Sequence, residues 1–398
     1  MAPGPGLQNT ILPLGFSASG VNCGVRRYRP DLGLIFTEKD CVTAGVFTIN
    51  EFRAAPVLHC QSILPSGSIR ALITNSGQAN AATGEQGKID NEKMVAAVAK
   101  ELGIHASQVL TASTGVIGKA LEIEKIVAAV PELVERATDM ADGFALAILT
   151  TDLVPKSVTT TVKLSTGKVR LTGICKGSGM IHPQMATMLG YLLTDLKLTP
   201  DLAQSLMREA ADVSFNMISV DGDSSTNDCS FLMASGEAGV ELANDDDFHK
   251  FKKALIEISQ FLAKSIASDG EGATKLIEVD LKGSPTLELA RKAARGVTLS
   301  PLIKTAMHGE DPNWGRILSR LGAEQVPAEC LAKMTLKLQG TVLFAGGMPQ
   351  DFDREAVRNL LKKNKVSVEI DLKSGSEKAT AWGCDLSKKY VDINTEYS

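Results

Sequence analysis

Lys176-Gly177-Ser178-Gly179-Met180-Ile181-His182-Pro183-Gln184-Met185-Ala186-Thr187-Met188-Leu189 is the stretch on which the fold turns. An alternating run delivers Lys176 into a glycine loop, and the loop closes on Met-Ala-Thr-Met-Leu. Alanine before threonine leaves the preceding carbonyl open to attack by a hydroxyl. A threonine at a chain terminus can use its own α-amino group as the base. That amine titrates at about 7.7–8.0, so no histidine is required. Read alone, the same residues also fit a glycine loop entering a buried Met/Leu helix.

Working outward, Val158 to Leu164 and Lys168 to Lys176 alternate like a hairpin with Ser165-Thr166-Gly167 as its turn. Upstream, Leu32 to Phe36, Thr43 to Ile49 and Ser68 to Asn75 read as short strands, the last running into a polar loop from Ser76 to Gly87. Asn91 is placed to cap a helix ending at Leu102, and Ile123 to Ala137 and Met140 to Leu149 read as helices. Downstream, Thr199 caps a helix over Pro200 to Val213. Phe251, Leu255, Ile258 and Leu262 recur at helical steps within Asp246 to Ala267. Ile277 to Leu281 is a strand, Thr286 to His308 mostly helix, and Asp353 to Lys363 a helix between strands at Lys333 to Phe344 and Val366 to Leu372. Strands and helices intermix throughout, which predicts a layered α/β or α+β fold.

Several attractive motifs fail. Asp221 to Asp228 begins like a calcium loop, but Thr226 and Leu232 stand where a glycine and a glutamate are needed. Gly270 to Lys275 lacks the spacing of a phosphate loop. The five histidines are widely separated, and the seven cysteines are scattered without a C-x-x-C, so neither a metal site nor a disulfide framework is expected. The 398 residues carry 42 Lys plus Arg against 46 Asp plus Glu, a net charge of -4, which argues against nucleic acid as partner. No apolar run approaches a membrane span, and Met-Ala-Pro-Gly-Pro-Gly is no secretory signal, so a cytoplasmic protein is expected.

Three further segments carry chemistry. In Thr111-Ala112-Ser113-Thr114-Gly115-Val116-Ile117-Gly118, a hydroxyl and a following backbone N–H can face one anion, as an oxyanion hole needs; a strand-to-helix turn is the plainer reading. Asp269-Gly270-Glu271-Gly272 sets a carboxylate between glycines, where a helix C-cap and turn would look the same. Asp311-Pro312-Asn313-Trp314-Gly315-Arg316 reads as a helix start capped by Asp311.

Taken together with Gly15 to Gly24, Ala44 to Asn50, Asn75 to Ala81, Thr150-Thr151-Asp152, Ser214 to Asp228 and Asn394-Thr395-Glu396-Tyr397, these segments resemble the ornithine acetyltransferase family, also called glutamate N-acetyltransferase. The resemblance implies a self-processing αββα sandwich of the N-terminal-nucleophile type. It implies a precursor cut between Ala186 and Thr187 into residues 1–186 and 187–398, both contributing to one interlocked fold. Thr187 then takes an acetyl group from N-acetylornithine and passes it to glutamate, with acetyl-CoA a possible second donor and no other cofactor. Thr114 and Gly115 match the oxyanion-hole pair. Thr150, Lys176, Thr187, Glu271, Asn394 and the terminal Ser398 match substrate-binding positions. No metal is implied, and the assembly implied is a heterotetramer of two copies of each piece.

Lys176 suits a substrate carboxylate. Glu271 suits either an ammonium group or the positioning of the nucleophile, and the sequence leaves both open. Gln78 replaces the asparagine common in the family, and His182-Pro183-Gln184 replaces smaller or polar residues; both lie beside motifs. A self-processing aminopeptidase or amidase that sends the acyl group to water is the alternative within hydrolases. A non-catalytic amino-acid-binding module is the alternative outside them.

Overall fold

The computed structural model describes residues 10–182 and 188–396. In chain order the strands are β1 (Phe16–Val21), β2 (Leu32–Phe47), β3 (Ser66–Gln78), β4 (Val109–Val116), β5 (Lys156–Leu164), β6 (Gly167–Lys176), β7 (Leu189–Thr194), β8 (Ile218–Ser219), β9 (Cys229–Ala234), β10 (Leu276–Ser284), β11 (Thr335–Leu338), β12 (Thr341–Ala345), β13 (Met348–Pro349), β14 (Lys365–Asp371) and β15 (Glu377–Cys384). The helices are α1 (Ala55–Ile63), α2 (Gly84–Leu102), α3 (Ile123–Glu135), α4 (Asp142–Ala147), α5 (Pro200–Asp212), α6 (Asp245–Ser268), α7 (Leu287–Leu299), α8 (Pro301–His308), α9 (Trp314–Ala323), α10 (Ala328–Lys333), α11 (Arg354–Leu361) and α12 (Lys388–Glu396).

The first sheet runs β4-β3-β2-β9-β7-β6-β5, with β1 paired to the first half of β2; the second runs β13-β12-β11-β14-β10-β15-β8. Tyr191 and Ile174 point from the first sheet toward α4, where Phe144 meets the Tyr191 ring edge-on at 4.8 Å. From the other face, a Cβ on Gly173 would strike Ile258 and Leu262 at 2.7 and 2.8 Å, so glycine lets α6 lie against the sheet. Helix α6 also touches β8, β10 and β15 of the second sheet, and α7 covers that sheet's far side at Gly383 and Thr298. The layered α/β class therefore holds. The helix–sheet–sheet–helix order is present with α5 and α6 inserted between the two sheets.

Strands β7 and β9 lie side by side in parallel in the interior of the first sheet, β7 paired to β6 and β9 to β2. Each of those two outer ladders has six register pairs. Both inner strands come from residues after position 187, and both outer partners from residues before it.

Local differences from the sequence reading have physical reasons. The two runs at Leu32 and Thr43 form one strand, β2, bent where its register with β3 shifts between Phe36 and Cys41. Helix α2 starts at Gly84, not at Asn91, which is buried inside it. Gly84 and Gly87 argue against a helix in isolation. Here, though, a Cβ on Gly87 would meet Thr83 Oγ1 at 2.1 Å, and Asn80 Nδ2 donates to the Gly87 carbonyl at 2.9 Å. Asp311 caps nothing: it accepts from Arg354 and from Asn313 Nδ2, and α9 begins at Trp314. The run from Thr286 to His308 breaks at Ser300, whose side chain caps α8 by accepting from Ile303 N. Gly167 opens β6 and is not part of the turn.

Candidate active site

Thr114 lies near the end of β4, at a point where that strand runs parallel to β3 and Ser76 pairs with it. Gly115 follows with φ +132°, and a Cβ there would lie 2.2 Å from the Gly77 carbonyl carbon, so only glycine fits. The strand end is pinned from two sides. Asn227 Nδ2 donates to the carbonyls of Ser113 and Ala79, and Ser113 Oγ donates to Asn75 Oδ1 at 2.6 Å. The amide of Gln78 bonds both the backbone N–H and the carboxylate of Glu122 at the start of α3.

Lys176 ends β6 and is buried, and its Nζ donates to Thr114 Oγ1 at 3.2 Å. With a lone pair of Thr114 occupied by an ammonium, the hydroxyl hydrogen is free to point elsewhere, as a donor. Burial lowers the Lys176 pKa, while the carboxylates of Asp152, Asp228 and Glu271 oppose that shift. Thr150 is fixed through its main chain. Its N–H donates to Asp152 Oδ2 at 3.1 Å, and its carbonyl accepts from Arg26 at 3.3 Å.

Glu271 sits just past the C-terminus of α6, with its N–H on the Ser178 carbonyl at 3.0 Å and its carboxylate accepting from Asn394 Nδ2 at 2.8 Å. The glycine loop makes room for it. A Cβ on Gly179 would lie 2.4 Å from the Glu271 carboxyl carbon. Because the clashing atoms are the far end of a flexible side chain, Gly179→Ala is expected to fold with a melting temperature close to wild type while turning Glu271 off Asn394. We expect KM to rise about tenfold or more, the scale on which misplaced binding groups act. Steady-state kinetics beside a thermal melt checks this, and an unchanged KM would separate Glu271 from substrate binding.

Thr114, Gly115, Thr150, Lys176, Glu271 and Asn394 all line one cavity of about 130 Å³, to which Met188 and Asp228 also contribute. These are six of the positions named from the sequence, drawn from three elements and two loops. Ala186, Thr187 and Ser398 lie outside the described residues; Met188, next in the chain after Thr187, lines the cavity. A larger groove of about 720 Å³ runs along the second sheet past Asp280, Lys282, Arg291, Lys337 and Glu369 and contains none of them.

The glycine loop from Gly177 to His182 is held on its far side by residues of the C-terminal half. Asp221 accepts from the N–H groups of Met180 and Ile181 at 2.6 and 2.8 Å, and Val220 N donates to the Ile181 carbonyl at 2.7 Å. Arg295 bonds His182 Nε2 at 3.1 Å, and Ser219 meets Nδ1 at 3.2 Å. Burial and the guanidinium groups of Arg295 and Arg320 push the His182 pKa down to about 4, so the ring is neutral near pH 7 and is held as a structural pin.

Sequence reading gave no role to Asp152, Lys156 or Asp269, which sit beneath the cavity and form two buried ion pairs. Among the described residues no cluster of three or more His, Cys, Asp or Glu could hold a metal ion. The thiols of Cys41 and Cys60 are pushed by burial up to about 12, as inert core groups. No helix of the described residues is long and apolar enough to cross a membrane.

Fold and site together define a layered α/β acyl-transfer enzyme. The ArgJ family model matches residues 17–398. The chain is 44% identical to the arginine biosynthesis bifunctional protein ArgJ of Thermotoga neapolitana over 97% of this chain and 99% of that one. It is 45% identical to the chloroplastic ArgJ of Physcomitrium patens over 96% of this chain and 76% of that one. Among solved structures, the arginine biosynthesis bifunctional protein argJ from Bacillus halodurans is similar at 37% identity and a TM-score of 0.51, covering 53% of this chain and all of that chain. This chain belongs to the ArgJ family.

Proposed function

We propose that this chain cuts itself between Ala186 and Thr187 and then moves the acetyl group of N-acetylornithine to glutamate through an acetyl-Thr187 intermediate. In processing, the Thr187 hydroxyl adds to the Ala186 carbonyl, the peptide C–N bond breaks to give an ester, and water splits the ester. The products are an Ala186 carboxylate and a free Thr187 amine. In transfer, that amine takes the hydroxyl proton as Oγ attacks the acetyl carbon, and the departing ornithine nitrogen receives the proton. The glutamate amine then attacks the acetyl ester and regenerates the hydroxyl.

The observation that carries this reading is the meeting of Thr114, Gly115, Thr150, Lys176, Glu271 and Asn394 around one cavity whose wall includes Met188. In the proposal Thr114 and the Gly115 N–H hold the oxyanion, Lys176 holds a substrate carboxylate, and Glu271 with Asn394 receives the ammonium end. The relatives are named as bifunctional proteins of arginine biosynthesis. The solved Bacillus halodurans chain covers 53% of this one over its own full length, the same share of the sequence that residues 187–398 make up. That match suits a protein that works as two pieces. Thr187 supplies its own base, so no cofactor is needed; acetyl-CoA is the second acetyl donor in this reading, and two copies of each piece form the assembly.

Incubating the purified protein with N-acetylornithine and glutamate tests the reaction. N-acetylglutamate and ornithine should appear in equal amounts, and a parallel mixture of acetyl-CoA and glutamate reads the second donor. Acetate released without N-acetylglutamate would overturn transfer in favour of hydrolysis.

A further inference from the structure

Lys156 opens β5 with its side chain fully buried. Its Nζ donates to Asp152 Oδ1 at 2.7 Å, to Asp269 Oδ2 at 2.6 Å and to the Val154 carbonyl at 3.2 Å. Each carboxylate then holds a loop of the cavity. Asp152 accepts from the N–H of Gly177 at 2.7 Å and from that of Thr150 at 3.1 Å, and so fixes the backbone beside Lys176 and at Thr150. Asp269 accepts from Leu153 N at 3.1 Å, and its carbonyl takes the Ser178 hydroxyl at 2.7 Å; the Ser178 carbonyl in turn receives the Glu271 N–H. One ammonium therefore ties together the loops that carry Thr150, Lys176 and Glu271. Asp152 and Lys156 precede the Ala186-Thr187 bond and Asp269 follows it, so the tie spans both pieces.

The charge arrangement says what this buried cation does. Two carboxylates lie under the cavity with two ammonium groups near them, Lys156 beneath and Lys176 above. A buried carboxylate left without its partner draws in another cation or a proton, because an uncompensated buried charge is strongly unfavourable. Asp152 is already within the electrostatic reach of Lys176. Without Lys156, the other ammonium acting on Asp152 is the one that lines the cavity.

We propose that Lys156 is a positioning residue: by occupying Asp152 and Asp269 it leaves the Lys176 ammonium at the cavity, on Thr114, where a substrate carboxylate binds. This rests on the reading of Lys176 as the carboxylate ligand.

The test compares the KM for N-acetylornithine in Lys156→Met, in Lys156→Met combined with Asp152→Asn, and in Lys176→Met. Lys156→Met is expected to raise KM about tenfold or more with a smaller change in kcat, as loss of a ground-state contact does. Adding Asp152→Asn removes the charge that captures Lys176 and keeps one acceptor oxygen, enough for the Gly177 N–H beside Lys176 while the Thr150 N–H loses its partner, so KM should return to within about threefold of wild type. A strut that only stiffened the fold would give a double variant no better than the single one, and that result overturns the proposal. Should Lys156→Met yield no processed protein on a denaturing gel, the double variant decides alone: a KM near wild type supports the role, and a rise of tenfold ends it. Lys176→Met separates the two readings. An unchanged KM there removes Lys176 as the ligand, whereas a raised KM there beside an unchanged KM in Lys156→Met removes only the positioning role.

Discussion

Thr187→Ala is expected to leave a single uncut chain of 42.2 kDa with no acetyl transfer above background. Wild type should run as two fragments, of 186 and 212 residues, on the same denaturing gel. First, the acyl shift needs a hydroxyl on the residue that follows the scissile carbonyl, and alanine has none. Second, transfer needs both that hydroxyl and the amine that cleavage frees, so a precursor that cannot cut cannot turn over either. Thr187→Ser keeps the hydroxyl and is expected to cut and transfer more slowly, because it loses the methyl group that restricts χ1. Cleavage of the alanine variant at the wild-type rate, with the new N-terminus read by mass spectrometry, would remove Thr187 from the role of nucleophile.

The fold would hold the two halves together after such a cut. Strands β7 and β9 belong to the C-terminal piece but lie between β2 and β6 of the N-terminal piece, joined by a six-pair ladder on either side. Separation would expose both ladders and the apolar residues of α5 and α6 that pack on β2, β5 and β6 of the N-terminal piece, Val46, Val169 and Leu171 among them. The pieces carry 17 basic against 15 acidic side chains and 25 against 31, net +2 and -6. That attraction is screened at physiological salt and is minor beside the shared core.

Parts of this were legible in the sequence because they obey local rules. The apolar step of Phe251, Leu255, Ile258 and Leu262 gave α6, and all four are buried. Thr199 does cap α5 through Leu202 N. Thr114, Gly115, Lys176 and Glu271 were named through the family resemblance, since each segment alone read as well as a turn or a helix end; the fold places the four around one cavity. What escaped is non-local. All six residues of β7 are buried on both faces, so Leu189 to Thr194 shows no alternation and reads as well for a buried helix. The Lys156–Asp269 pair joins residues 113 apart, and Asp269 looked like an ordinary helix end. Its partner Asp152 stood in a quoted motif, but only the fold gives it a cation.

The second large effect is expected for Thr114→Ala, which should lose about 10²-fold or more in kcat, the scale of one oxyanion donor at about 2.7–4 kcal/mol. The substitution is mild for the fold. β4 keeps its backbone pairing with Ser76, φ at this position is unrestrained by any positive value, and the removed atoms face the cavity. Gly115→Ala is a poorer probe, since its Cβ would enter the backbone of Gly77 and confound folding with chemistry. The Lys176–Thr114 contact makes the test sharper. Lys176 occupies an acceptor site on Oγ1, so the lost function is donation by the hydroxyl hydrogen, and Thr114→Ser should retain most of the rate while Thr114→Val, of the same shape, should not. Cleavage also passes through an oxyanion, so the alanine and valine variants should accumulate precursor, and kcat must be taken per cut molecule. If kcat per cut molecule stays at the wild-type value in both, the hydroxyl is not the donor, and stabilisation of the oxyanion would fall to the backbone N–H of Gly115 and the Lys176 ammonium.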